Sequence, residues 1–285
     1  MRHTVSMRDH LRTRLVLAVL ALACSPPVTA ARPAPVSACE GLDAKGRDAM
    51  QWFISGVFPI PSPWITCRED NGVNFATLRR QKPAAVPCLL QIYRSGLANT
   101  GLWLRKGPPP KDGAWTTGVL GQVDPPSAIE LWREKAATTQ DPWLRAFALV
   151  QMAGLGNRAV LHNLAAVLAD PPPMPALKPL ERDSFLADAA DLIAQYDYRP
   201  ALPALKHLYS TPRPSLRWVD LHILQLERDV VALERRTRDK DAAGFNAVRA
   251  LYRMHARDAL NRIADDPMHP QSTQAHHYLG LNARL

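Results

Sequence analysis

Glycine is scarce in this chain, 14 residues of 285 against 26 prolines. That balance disfavours a β structure built on glycine turns and suits many short helices punctuated by proline. Long apolar runs are also missing. The unbroken run from Leu15 to Ala23 holds nine residues, too few to cross a bilayer, and no later run approaches that length. Familiar catalytic signatures are absent: no H-E-x-x-H, G-x-S-x-G, S-x-x-K or P-loop, and no paired Cys-x-x-Cys. Acid is the minority charge, with 26 Asp and Glu against 35 Lys and Arg and a net charge of +9. Apolar residues are plentiful at 47%, enough to bury a sizeable core, which excludes a disordered chain.

Residues 1–30 read as an export signal. Arg2, Arg8, Arg12 and Arg14 precede the apolar run, and the small residues of Val28-Thr-Ala30 suit cleavage before Ala31. A second ending competes with it: Leu20-Ala-Leu-Ala-Cys24 resembles a lipobox, which would acylate Cys24 and make the Pro/Ala-rich stretch that follows, including residues 31–38, a tether. Both endings place the protein in the periplasm or cell envelope. Losing residues 1–30 removes four Arg and one Asp, which leaves +6. Basic charge alone suggests nucleic acid or an anionic surface, but an exported chain rarely meets cellular nucleic acid. No nucleic-acid partner is expected.

Cys39, Cys67 and Cys88 remain beyond the signal. One disulfide among the three fits an oxidising compartment, and spacing does not choose the pair. Cys67–Cys88 is the favoured reading, a loop worth roughly 3 kcal/mol by chain entropy.

Helical spacing runs through most of the chain. Met50, Phe53, Ile54 and Val57 share a face, and residues 72–81 and 84–95 predict an antiparallel pair, together making an N-terminal helical region over 39–96. Residues 97–123 differ in kind, with five glycines, the Pro108–Pro110 triplet, Trp103 and Trp115. A small hairpin or a long ordered loop is expected there, and as an insertion it is a candidate binding surface. Trp103, Arg105, Lys106 and Trp115 are its candidate partner-binding residues. From 124 to 285 helices follow closely: 127–137, one opened by Asp141-Pro142, then 158–169, 180–195, 200–209, one or two over 214–237, 242–253, 257–265 and 271–282.

Within 124–285 one stretch returns. Arg158-Ala-Val-Leu-His-Asn-Leu164 recurs as Arg199-Pro-Ala-Leu-Pro-Ala-Leu205 and as Arg257-Asp-Ala-Leu-Asn-Arg-Ile263, spaced by 41 and then 58 residues. Gly156, Asp197 and His255 stand two places before the three arginines. The copies resemble short bacterial HEAT-like repeats, whose turn carries Gly-Asp-x-Arg-Ala-Val-Pro-x-Leu. That resemblance implies an all-α fold, an α-solenoid of antiparallel helix pairs stabilised by neighbour contacts. It also implies that Arg158, Arg199 and Arg257 tie adjacent repeats together and do not touch a ligand.

Other chemistry does not assemble from the sequence. Gly154-Leu-Gly156-Asn-Arg-Ala159 has dinucleotide-motif spacing but follows a helix instead of a strand. His269, His276 and His277 read as surface histidines and give no metal site, Glu130 and Glu134 as solvated charges. No catalytic, cofactor or metal residues are therefore assigned. The expected function is an exported, non-enzymatic protein-binding α-solenoid for an acidic partner, in one form a periplasmic inhibitor or immunity protein. The alternatives are a lipid-tethered envelope scaffold or assembly factor, and an enzyme on envelope polymers, which would need a cleft of convergent carboxylates.

Overall fold

Proline and aspartate start the helices here, and a left-handed residue ends several of them. The computed structural model of the chain describes residues 37–54, 69–97, 100, 102, 114–174, 177–210, 216 and 218–282. Residues 1–30, read above as an export signal and including Cys24, lie outside the described residues, as do Cys67, Trp103, Arg105 and Lys106. So does the linker at 31–36.

All regular structure among the described residues is helical. The helices are α1 (Ala44–Ile54), α2 (Glu69–Arg80), α3 (Lys82–Ser95), α4 (Ala114–Val123), α5 (Pro125–Thr138), α6 (Pro142–Gly154) and α7 (Leu161–Ala169), followed by α8 (Pro179–Gln195), α9 (Leu202–Ser210), α10 (Val219–Glu227), α11 (Val230–Arg236), α12 (Ala242–Arg253), α13 (Arg257–Asp265) and α14 (Ser272–Asn282). Single 3-10 turns, Arg158–Val160 and Arg199–Ala201, lead into α7 and α9. Asp141 caps α6 as its sequence predicts, its carboxylate accepting from the Trp143 N–H at 2.9 Å, with Pro142 in the first turn where no donor is needed.

Two sequence expectations are corrected. The 97–123 insertion is not a hairpin or loop throughout: residues 114–123 form α4, which contacts α2, α3 and α5 and buries Val119, Leu120 and Val123. One of its glycines sits at a close packing contact. A Cβ on Gly121 would come within 2.7 Å of the Leu155 side chain, so the small residue lets α4 approach the C-terminal end of α6. The second correction concerns the disulfide. Cys88 pairs with Cys39, not Cys67, at a Cα–Cα distance of 4.5 Å. Chain order explains it: α3 lies against the segment before α1, where the Ala38 N–H also donates to Gln91 Oε1 at 2.7 Å, and both cysteines are buried in one core with Met50, Phe53, Leu78 and Leu89.

The 214–237 segment divides into α10 and α11, and the division exposes a rule. Four residues in this half of the chain have positive φ: Gly156 at 96°, Asp197 at 51°, Arg228 at 62° and His255 at 56°. Each terminates α6, α8, α10 or α12 with the same two hydrogen bonds. The left-handed residue donates to the carbonyl three back (Ala153, Ala194, Gln225, Tyr252), and the next N–H donates to the carbonyl five back (Met152, Ile193, Leu224, Leu251). This is the Schellman arrangement, which satisfies carbonyls that a helix end leaves open. Three of the four are the copies found in the sequence. The fourth, at Arg228, accounts for the 58-residue gap between the second and third.

Residues Ala38–Leu285 form one compact unit. Substantial helix contacts join chain neighbours and next neighbours, such as α6 with α8, α8 with α10, α10 with α12 and α12 with α14. Buried side chains accordingly fall into three successive clusters. The first runs from Cys39 to Leu131, the second from Trp132 to Leu226, and the third from Leu221 to Ala275. α10 bridges the last two, giving Val219, Ile223 and Leu226 to one and Leu221 to the other.

Two outcomes check this description. Reducing Cys39–Cys88, which closes a span of 49 residues, should destabilise the chain by about 4 kcal/mol in denaturant titration, the chain-entropy value for a loop of that length. His255→Gly should raise stability by about 1 kcal/mol, because a side chain in the left-handed region carries strain that glycine lacks. Gly156→Ala should lower it by a similar amount.

Candidate functional site

The three repeat arginines stand at the starts of second helices, and the structure gives two of them visible partners near the next or the same turn. The Arg158 guanidinium lies over the Tyr196 ring, 5.1 Å from its centre, and Tyr196 in turn donates its hydroxyl to the Ala153 carbonyl at 2.9 Å. Arg199 Nε sits 3.6 Å from Asp197 Oδ1. Arg257 begins α13 and lines a surface pocket with His255 and Arg262. The residue that joins the most turns is one the sequence did not single out. Arg228 donates through Nη2 to Asp197 Oδ2 at 2.6 Å and through Nη1 to the Met254 carbonyl at 3.3 Å. Gln225 adds a buried bond to the Ala194 carbonyl at 2.7 Å. Ala153, Ala194 and Met254 all lie at helix C-terminal ends, so the turns at Asp197 and Arg228 supply donors to carbonyls of their neighbours.

A more concentrated group of charges lies where α8, α10 and α12 meet. Asp188 and Asp191 are three residues apart on α8, Trp218 and His222 four apart at α10, and Asn246, Arg249 and Arg253 recur at three and four on α12. Each set therefore shares a helix face. Asp191 is the hub. Arg253 grips it with two bonds, Nη1–Oδ1 at 2.8 Å and Nη2–Oδ2 at 3.2 Å, while Arg249 Nη2 donates to Oδ1 at 2.9 Å and His222 Nε2 stands 3.8 Å away. Burial pushes the Asp191 carboxyl up, yet the Arg253 hydrogen bonds and the nearby charges of Arg253 and Arg249 hold it below its ordinary value. Burial also drives His222 down to about 4, so its ring is neutral at neutral pH.

Asp188 is treated differently. It makes no hydrogen bond or ion pair among the described residues, and burial plus the charge of Asp191 raise it to about 6. Together with Ala187, Asp191, Trp218, His222, Asn246 and Arg249 it lines a pocket of about 210 Å³. Here carboxylates do converge, as a polymer-cleaving site would require. The two differ in their surroundings: Asp191 is committed to two guanidiniums, and Asp188 is unpaired among the described residues.

The remaining sequence candidates fall elsewhere. Trp115 is in α4, with its side chain outside the described residues. Glu130 pairs with Arg133 on its own helix, and Glu134 lies 3.9 Å from Arg94. His276 and His277 are exposed, but His269 is not a surface histidine: it is buried, 3.2 Å from Thr237 Oγ1, and accepts from the Gln271 N–H. The pocket itself escaped the sequence because it is built from three short helical spacings on separate elements. One signal was present: His222 interrupts the apolar stripe of Val219, Ile223 and Leu226. No family model matches the chain, and neither curated proteins nor solved structures give a match.

Asp188 yields a pH prediction. Its folded pKa is raised from 3.8 to about 6, so its contribution is fully present below the unfolded value and is lost as pH rises through about 6. Asp188→Asn should therefore be more stable than the parent by about 1 kcal/mol at about pH 8, a figure reduced for the solvent-screened part of the carboxyl. The gain should vanish by about pH 4 in thermal or denaturant unfolding.

Proposed function

We propose that this chain is an exported, non-enzymatic binding protein: an α-solenoid of HEAT-like helix pairs that holds another protein in the periplasm or cell envelope. Its most concrete form is an inhibitor or immunity protein. The observation that carries the reading is the contact pattern, in which helices meet neighbours and next neighbours through repeated Schellman turns and successive overlapping cores. Stacking of that kind stabilises each unit through the next one and leaves long helix surfaces for a partner.

Export is supported by two independent features. The Arg-rich, apolar leader ends in small residues, and Cys39 and Cys88 are joined, as disulfides persist in oxidising compartments. A mature charge of +6 favours an acidic partner; Trp103, Arg105 and Trp115 are of the residue types that dominate interface energetics, and Lys106 adds positive charge beside them.

Oxidised protein starting at Ala31 should capture one stoichiometric acidic protein from an envelope extract. Trp103→Ala with Trp115→Ala should weaken that complex about tenfold or more in calorimetry, provided the melt of the double variant is unchanged. Absence of any stoichiometric partner, or a partner indifferent to both changes, would refute the placement of the surface on the insertion.

A further inference from the structure

We infer that the pocket between α8, α10 and α12 binds a small zwitterion, an α-amino acid with free amino and carboxylate groups. The assignment does not rest on the protein-binding reading; it rests on how charge is distributed in the pocket. Arg253 satisfies Asp191 with two bonds, whereas Arg249 gives that carboxylate a single one. Arg249 is thus the surplus cation, its remaining N–H groups without a partner among the described residues, and its side chain is 34% exposed. Asp188 is the surplus anion, half-buried and equally unpartnered.

Both line the same pocket, yet no ion pair joins them. Two opposite charges thus line one cavity without meeting, Asp188 unpaired among the described residues and Arg249 held by its single bond to Asp191. A ligand that carries an ammonium and a carboxylate satisfies both at once, the ammonium at Asp188 and the carboxylate at Arg249. A guanidinium presents its donors in a plane suited to a carboxylate.

Two further groups point to a ligand. His222 is only 8% exposed, lines the pocket and makes no hydrogen bond among the described residues; its Nε2 stands 3.8 Å from Asp191 Oδ1. Asn246 is half-buried, also lacks a partner among the described residues, and offers both a donor and an acceptor. Buried polar groups are ordinarily satisfied, so a pocket that leaves the buried His222 imidazole open, beside a half-buried amide and carboxyl, is arranged for an occupant. Trp218 and Ala187 supply an apolar wall for the ligand's side chain. The volume of about 210 Å³ is below that of pockets for larger molecules, which begin at roughly 300 Å³. It suits a single amino acid and excludes a folded partner.

The test is calorimetric titration of the oxidised protein with glycine, L-leucine, L-phenylalanine, L-glutamate and L-arginine. For whichever binds most tightly, the N-acetyl and methyl-ester forms are titrated too. At least one amino acid should bind with a Kd of roughly 1 mM or tighter, and blocking either end should weaken it about tenfold or more. Asp188→Asn, the variant predicted to gain stability, should abolish the preference for a free amine. Arg249→Gln, which leaves the Arg253–Asp191 pair in place, should abolish the preference for a free carboxylate. The assignment is overturned if no amino acid binds at roughly 10 mM, if the blocked forms bind as well as the parent, or if Asp188→Asn binds with unchanged affinity and selectivity.

Discussion

Gly156, Asp197, Arg228 and His255 hold the left-handed conformation that ends α6, α8, α10 and α12, and the arrangement of the second half of the chain depends on it. A helix ends with four carbonyls unsatisfied, and burying such an end is costly unless donors are supplied. The left-handed residue turns the backbone so that two successive N–H groups return to those carbonyls before the next helix begins. Neighbouring turns then add side-chain donors. Tyr196 serves the Ala153 carbonyl, Gln225 the Ala194 carbonyl and Arg228 the Met254 carbonyl. Local capping and contact between turns are therefore one hydrogen-bond system.

That system determines where apolar and polar groups can go. With the helix ends satisfied, α8, α10 and α12 lie side by side, and their inward faces fill two successive cores. Their meeting place also holds a charged group. Asp191 with Arg249 and Arg253 is well bonded and ties α8 to α12, but Asp188, His222 and Asn246 gain no such compensation. Leaving polar groups open in a partly buried place lowers stability. Proteins commonly retain that kind of local inconsistency where they bind something. The pocket reads as such a place.

Much of the second half was legible in the sequence, because its signals are local. Asp141-Pro142 marks a helix start by capping chemistry, and Gly156 and Asp197 are residues that tolerate positive φ. α12 and α13 fall on the predicted residues 242–253 and 257–265. Arg228 was missed because arginine is no turn signal; only the hydrogen bonds made at that position identify it. α4 was missed for the opposite reason. Its glycines resemble a loop in one dimension, and the need for a small residue at Gly121 comes from Leu155, 34 residues away in sequence. The Cys39–Cys88 pair depends on how the segment before α1 lies on α3, which spacing cannot tell. The candidate pocket was the least legible, since a hydrogen bond such as Arg253 to Asp191 spans 62 positions.

The claim that four equivalent turns organise this half is tested most directly by native-state hydrogen exchange at four amides, those of Asn157, Tyr198, Asp229 and Ala256. Each donates to the carbonyl five residues back at 3.0 Å. All four should be protected to the level of the adjacent helices, including Asp229, which no repeat in the sequence announced. Exchange at the unprotected rate at any one of them would mean that the turn there is an open connection, and the four could no longer be treated as one repeated device.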